Sequence, residues 1–435
     1  MSIIFEPKRI GQLEVKNRLM RSATAERLVD KNGAVTDDLV SYYKVLAAGD
    51  VGTIVTGYTA VDPRGRSGWQ MMAIDNNNLI KGLQQLTKTV HKYDTRILVQ
   101  LNHCGRYSAG ALIGTNPLAV SVEPVPNEAT QEKLLRDPDA KPKGATSFGK
   151  DNKGEYPPKE ATDKEIKEVI KSFVDAAYRA RESGFDGVQI HSAHGYLVSQ
   201  FLSPRTNKRT DDWGGSIGNR SRFLMEIIRQ IRQRLGNDFP VWLKINCEDF
   251  LEPVRAERVT TNGSPAGTGS YPDYSSGMEE GLTLDDSIQV IKYLISNSAK
   301  PDALEISGGV GFDRVIRKNI LSPKEEAYFL PQAEVFRKTY ADLPLILVGG
   351  IRSREIIEKV LGEKKIDLVA MSRPFIRDPN FPSHLKKGEK KSTCISCNLC
   401  LGMKREPIKC RAPARLARSG GDDKLILNRN LSNQI

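Results

Sequence analysis

GFDGVQIHSAHGY, residues 184–196, is the stretch on which the reading of this chain turns. The apolar run GVQI reads as one buried strand, and polar residues collect at once at its carboxyl end. The chain has five histidines; two of them, His191 and His194, fall here, and Tyr196 follows two positions on. Two neutral hydrogen-bond donors and a phenol crowded at a strand end are parts for polarising a carbonyl and delivering a proton. A histidine on a strand can equally be a satisfied structural residue, so the surrounding chain has to decide.

Working outward, seven further runs have the same β-branched character: residues 17–24, 51–61, 96–102, 240–246, 302–307, 344–350 and 366–372. They alternate with helical patterns at residues 164–183 (capped by Thr162 or Asp163 and stopped by Gly184), 219–235 (ending at Gly236) and 284–297. Eight βα units predict an α/β fold, a closed (β/α)8 TIM barrel, typically built from about 250 residues and often enlarged by insertions. Two stretches read as insertions: residues 123–158, rich in Pro, Lys and Asp, and the Gly/Ser/Pro loop 253–279. Both leave from the carboxyl ends of strands, the face where barrel enzymes place their sites.

Charged residues at 27% and hydrophobic ones at 39% describe a globular chain. The formal charge of +12 is spread among 53 acidic residues with no recognised binding motif, so nucleic acid is not an expected partner. The apolar runs are too short to span a bilayer, and the start lacks a signal peptide's apolar stretch. A cytoplasmic protein without membrane attachment is therefore expected.

Polar residues and glycines recur at the other strand ends: GYTA at 57–60, QLNHCGR at 100–106, SGG at 307–309, Gly349 and Gly350, and SRP at 372–374. The glycines, with Ser372 and Arg373, would make a phosphate cradle, because amides approach closely where no side chain intervenes. Tight turns need the same glycines.

The block GFDGVQIHSAHGYLVSQFLSPRTNKRTDDWGGSIGNRSRF, together with FEPKRIGQLEVKNR near the start and MSRPFIRDP at 371–379, resembles the old yellow enzyme family of FMN-dependent oxidoreductases. The likeness covers nearly the whole chain. It is strongest to the branch containing the barrel domains of 2,4-dienoyl-CoA reductase and trimethylamine dehydrogenase. It implies a non-covalent FMN with Ser22, Ala23 and Thr24 along its ring, Ala60 offering its backbone amide, and Gln100 its side-chain amide. Arg222 is implied beside the end of the flavin that becomes anionic on reduction, a buried structural arginine being the alternative. Gly308, Gly349, Gly350, Ser372 and Arg373 are implied at the phosphate. His191 and His194 match the pair that binds a carbonyl oxygen, and Tyr196 matches the proton donor. Ala25 departs from the family where relatives carry a flavin-tuning Thr or Cys, and Arg27 stands where an aromatic is common.

Four of the six cysteines, Cys394, Cys397, Cys400 and Cys410, form C-x2-C-x2-C-x9-C. Four thiolates suit a 4Fe–4S cluster or a tetrahedral zinc, and unmetallated thiols remain a third reading. No G-x-G-x-x-G follows a strand, so no dinucleotide-binding half is expected. The expected organisation is a barrel over residues 1–385 and a Cys-rich segment over 386–435.

The leading expectation is an enzyme that uses NAD(P)H to reduce the C=C bond of an α,β-unsaturated carbonyl compound. Hydride would come from the flavin and a proton from Tyr196. The alternative is an FMN/4Fe–4S amine or alcohol dehydrogenase or demethylase passing electrons to a carrier protein. A flavin-free binding barrel is a third reading, less favoured by a strand-end residue set this complete.

Overall fold

Each of the eight β-branched runs forms a strand in the computed structural model, which describes residues 2–122, 156–250, 281–310, 315–401 and 406–412. The strands are β1 Leu19–Arg21, β2 Thr53–Ala60, β3 Arg96–Asn102, β4 Gly187–Ser192, β5 Val241–Asn246, β6 Ala303–Ser307, β7 Leu345–Leu347 and β8 Leu368–Met371. All pair in parallel, and β8 closes on β1 to complete an eight-stranded barrel. The helices that follow them are α1 Asp37–Ala48, α2 Ile80–His91, α3 Asp163–Glu182, α4 Ile217–Leu235, α5 Leu284–Ser296, α6 Leu330–Thr339, α7 Arg354–Gly362 and α8 Phe381–Lys386. The fold is therefore the (β/α)8 barrel. The insertion at 253–279 lies outside the described residues, as do residues 123–155 of the other.

Local sequence explains the helix starts. Thr162 and Glu165 make a capping box on α3, and Thr283 and Asp286 make one on α5. Along α3, Ile166, Val169, Ile170, Phe173 and Ala177 are buried at three- and four-residue spacing, which turns one stripe to the sheet. Phe223 of α4 stacks on Phe201 with ring centroids 4.3 Å apart and meets Phe173 edge-on at 6.3 Å. Phe201 belongs to the short helix Leu197–Leu202, whose N-cap is Tyr196. The helix layer thus pins the segment that carries the phenol.

Inside the barrel, the two-residue period of each strand sorts side chains into layers. The lowest layer is apolar: Met20, Val55, Leu98, Trp242, Ile346 and Leu368 pack with Ile10, Leu13 and Val15. Those last three come from an N-terminal hairpin, Lys8–Ile10 with Leu13–Val15. Two residues further along β3, β5 and β6, the inward positions become Gln100, Lys244 and Glu305, and all three are buried. Among the described residues no helix is long and apolar enough to cross a membrane.

Candidate active site

Pairing register brings the polar residues together. His191 lies opposite Lys244, Lys244 opposite Glu305, and Gln100 opposite Gln189. The result is a hydrogen-bonded row across four strands. Gln100 Nε2 donates to Gln189 Oε1 (2.7 Å), and Gln189 Nε2 donates to Glu305 Oε2 (2.8 Å). Lys244 Nζ donates to Glu305 Oε1 (2.7 Å) and to Ser22 Oγ (2.9 Å), and Ser22 Oγ donates to the same carboxylate oxygen at 2.6 Å. Buried charges are tolerated when paired and hydrogen-bonded, and this pair is both.

One layer higher stand His191, His194 and Tyr196. The His191 ring lies 5.2 Å from that of His194 and 4.8 Å from that of Tyr196, both edge to face. His191 Nδ1 accepts from the Ala193 amide at 3.3 Å, so its proton belongs on Nε2, leaving that nitrogen as a donor. His194 holds a left-handed backbone at φ +62°, which Asn246 secures by accepting the His194 amide proton at 3.0 Å. His194 Nε2 is 2.7 Å from Ser307 Oγ. Tyr196 packs on Tyr58 with centroids 5.5 Å apart.

Burial sets the protonation of all three groups. It pushes both imidazoles well below the ordinary histidine range, with Lys244 adding repulsion, and His191 adds more for His194. It pushes the Tyr196 phenol well above 10, aided by Tyr58 and Cys104. The site therefore presents neutral donors and a protonated phenol.

This predicts acid sensitivity. His103 is also fully buried and pushed down to about 4. The unfolded chain takes up protons on these three rings as pH falls below about 6.5, while the fold refuses them, so stability falls with pH in that window. The urea midpoint at about pH 5 is expected below that at about pH 7.5. Imidazole resonances that titrate near their ordinary pKa in the folded protein would contradict this.

Three of the expected residues have partners within the fold. The Ala60 amide donates to Met72 O at 2.8 Å, so the fold already uses it. Arg222 lies on α4, half-buried in the helix layer outside the strands, and its Nη2 bonds Asn219 at 3.3 Å, one turn back. A motif read along the chain does not say which layer its residues enter; the cation of the polar row is Lys244. Arg373 turns Nη1 toward Arg317 O (2.7 Å), Ser396 O (3.3 Å) and Asn398 Oδ1 (2.7 Å), tying β8 to the cysteine segment.

The remaining expected residues cluster at the mouth. Thr24 Oγ1 lies 2.7 Å from Ser372 Oγ, joining the ends of β1 and β8, and Ala23 packs above the apolar floor. Gly349 and Gly350 take φ +132° and +72°, backbone that favours glycine, and the Tyr328 ring packs against both, within 2.8 Å of where a Cβ on Gly350 would lie. Gly308 is needed for packing: a Cβ there would come within 3.0 Å of Cys247 Sγ. All four C-terminal cysteines line one small cavity with Arg373, Ile376 and Asn398. Among the described residues no group of three or more Cys, His, Asp or Glu side chains stands at metal-holding geometry. Lys244, Gln189 and Glu305 were missed. Their signal is a polar residue in the middle of each apolar strand run.

Comparison with known proteins adds a family and three relatives. A family model described as the NADH:flavin oxidoreductase / NADH oxidase family matches residues 3–260 and 292–392. An NADH oxidase of Thermoanaerobacter brockii is 33% identical over 406 residues, 92% of this chain and 53% of the relative. A cinnamate reductase of Clostridium sporogenes is 29% identical over 411 residues, 92% of this chain and 55% of the relative. The structure of a 2-naphthoyl-CoA reductase in complex with 2-naphthoyl-CoA superposes with a TM-score of 0.76 at 25% identity, covering 95% of this chain and 57% of that one. The chain thus spans about half the length of these relatives.

Proposed function

The chain belongs to the NADH:flavin oxidoreductase / NADH oxidase family, and from that premise we propose that it uses NAD(P)H and FMN to reduce the C=C bond of an α,β-unsaturated carbonyl compound. The observation that carries this reading is the trio of His191, His194 and Tyr196 rings held edge to face over one polar barrel layer, where burial favours neutral imidazoles and a protonated phenol. The names of the cinnamate reductase and the 2-naphthoyl-CoA reductase support it, since each substrate has a carboxyl-type carbonyl conjugated to unsaturated carbon.

The residues present suit FMN. Gly349 and Gly350, which carry no side chain at the end of β7, would hold the phosphate, Gln100 keeps its Oε1 as an acceptor, and Lys244 supplies a cation. FMN, when bound, supplies hydride to the β-carbon of the alkene. His191 and His194 hold the carbonyl oxygen, favouring the negative charge that grows there. Tyr196 gives its proton to the α-carbon and is reprotonated from solvent. Neutral imidazoles suit this work, because they donate hydrogen bonds without giving up the proton.

The cysteine segment supports a second, oxidative reading. Cys394, Cys397, Cys400 and Cys410 line one cavity, and four thiols are the donor set that a 4Fe–4S cluster or a zinc ion takes, though they do not stand at metal-holding distances from one another. A cluster there would carry electrons onward to a carrier protein, and residues 386–435 would form a module of their own beside the barrel. One experiment separates the readings. Protein purified anaerobically is expected to be yellow, with about one FMN per chain and more enone than amine turnover. Colourless protein that takes up no FMN would overturn the proposal. Iron with a reduced-cluster EPR signal and amine oxidation without enone reduction would transfer the case to the oxidative reading.

A further inference from the structure

The polar row ends in a buried carboxylate that the proposed chemistry leaves unused. Glu305 is fully buried on β6, between Gln189 on one oxygen and Ser22 and Lys244 on the other. An ionised carboxylate accepts hydrogen bonds and donates none. It therefore gives the row a direction. Gln189 has to turn its NH2 to Glu305, which turns its carbonyl oxygen to Gln100. Gln100 must then spend its NH2 inward on Gln189 and keep its own carbonyl oxygen for a ligand. Were the row to end in a neutral amide, either direction would satisfy it, and Gln100 would offer a donor as readily as an acceptor.

The same carboxylate faces Lys244. A cation at the mouth favours an anionic ligand, and Glu305 at 2.7 Å offsets much of that charge. Burial of the pair keeps both effects strong, since little water screens them.

We propose that Glu305 is a positioning residue for the flavin edge: it fixes Gln100 as a hydrogen-bond acceptor through Gln189 and holds down the flavin's reduction potential by offsetting Lys244. This rests on the reading of Gln100 and Lys244 as flavin contacts. The matching ligand edge is an imide N–H beside a carbonyl oxygen, which the flavin pyrimidine ring carries.

The test compares the parent chain with E305Q and with the doubly substituted K244Q/E305Q. Each is loaded with FMN, and FMN dissociation and dye-equilibrated potential are measured. In E305Q the cation is uncovered, so the reduced-to-oxidised ratio against a fixed dye is expected to rise about tenfold, or ~30 mV for a two-electron couple. FMN is expected to bind about tenfold more weakly as the amide row loses its direction, a cost of ~1.4 kcal/mol. The double variant has no uncovered cation and keeps its folding balance; it should lose the potential shift and retain the weaker FMN binding. Potential and affinity equal to the parent's in both variants would overturn the inference, as would a double variant that binds FMN as tightly as the parent. A parent that takes up no FMN overturns the functional reading and this inference with it; a parent that takes up FMN while the variants match it overturns this inference alone.

Discussion

Replacing Tyr196 with Phe is expected to leave reduction of the bound flavin by NAD(P)H nearly unchanged while slowing alkene reduction by ~10²–10⁴-fold, the usual worth of a positioned general acid. The substitution keeps the ring, and with it the packing on Tyr58 and His191 and the helix start at Leu197. It removes one hydroxyl. Stopped-flow traces of the two half-reactions read the difference directly. Equal slowing of both would mean that Tyr196 shapes the pocket and gives no proton. The pH dependence follows from burial, which raises the phenol above its ordinary value. The acid form therefore persists through the neutral range, and the alkene half-reaction should show no falling limb below about pH 10 from this group. A limb near neutrality that disappears in Tyr196→Phe would show the phenol ionising early, against the sign expected from its surroundings.

Lys244→Met is expected to cost about 3–5 kcal/mol of folding stability in protein free of flavin, because it strands a buried carboxylate. Met fills nearly the same volume, so packing with the neighbouring strands is kept, and what is lost is the charge partner of Glu305. Ser22 and Gln189 still donate to that carboxylate and temper the loss, which sets the lower end of the range as the better guide. Urea denaturation measures it. Adding Glu305→Gln to Lys244→Met should recover most of the stability, since no unpaired charge then remains. A single variant as stable as the parent would mean that water or another cation reaches Glu305.

How much of this was legible in the chain depends on which distances along it matter. Each strand is a local event: a β-branched run bounded by turn residues, such as RILVQLN, announces itself, and β3 begins and ends where the run does. The cap at Thr162 and the stop at Gly236 are local too. HSAHGY was readable as a candidate site because its three polar rings lie within six residues. The row from Gln100 to Lys244 was harder, because it depends on the register among four strands far apart in sequence. A single polar residue inside an apolar run hints at such a row without naming its partner. Arg222 was read from NRSRF, a contiguous motif, and the chain order does not tell that the helix from Ile217 which carries it belongs to the outer layer. The direction of Arg373 depends on where residues 396–398 dock, and no local pattern holds that information.

The hairpin that closes the base of the barrel has a consequence for how the mouth responds to its surroundings. Ile10, Leu13 and Val15 pack with Met20, Leu98 and Trp242 into an oil-like stopper, so the charges just above it face a medium of low dielectric on one side. Mobile ions can approach those charges from the open end alone. Once a flat aromatic ligand lies across that end, both approaches are closed, and dissolved salt loses its hold on the Lys244–Glu305 pair. The barrel then behaves as a one-ended vessel: what happens at the reacting carbon is set by fixed dipoles lining its wall, and the composition of the buffer governs arrival and departure.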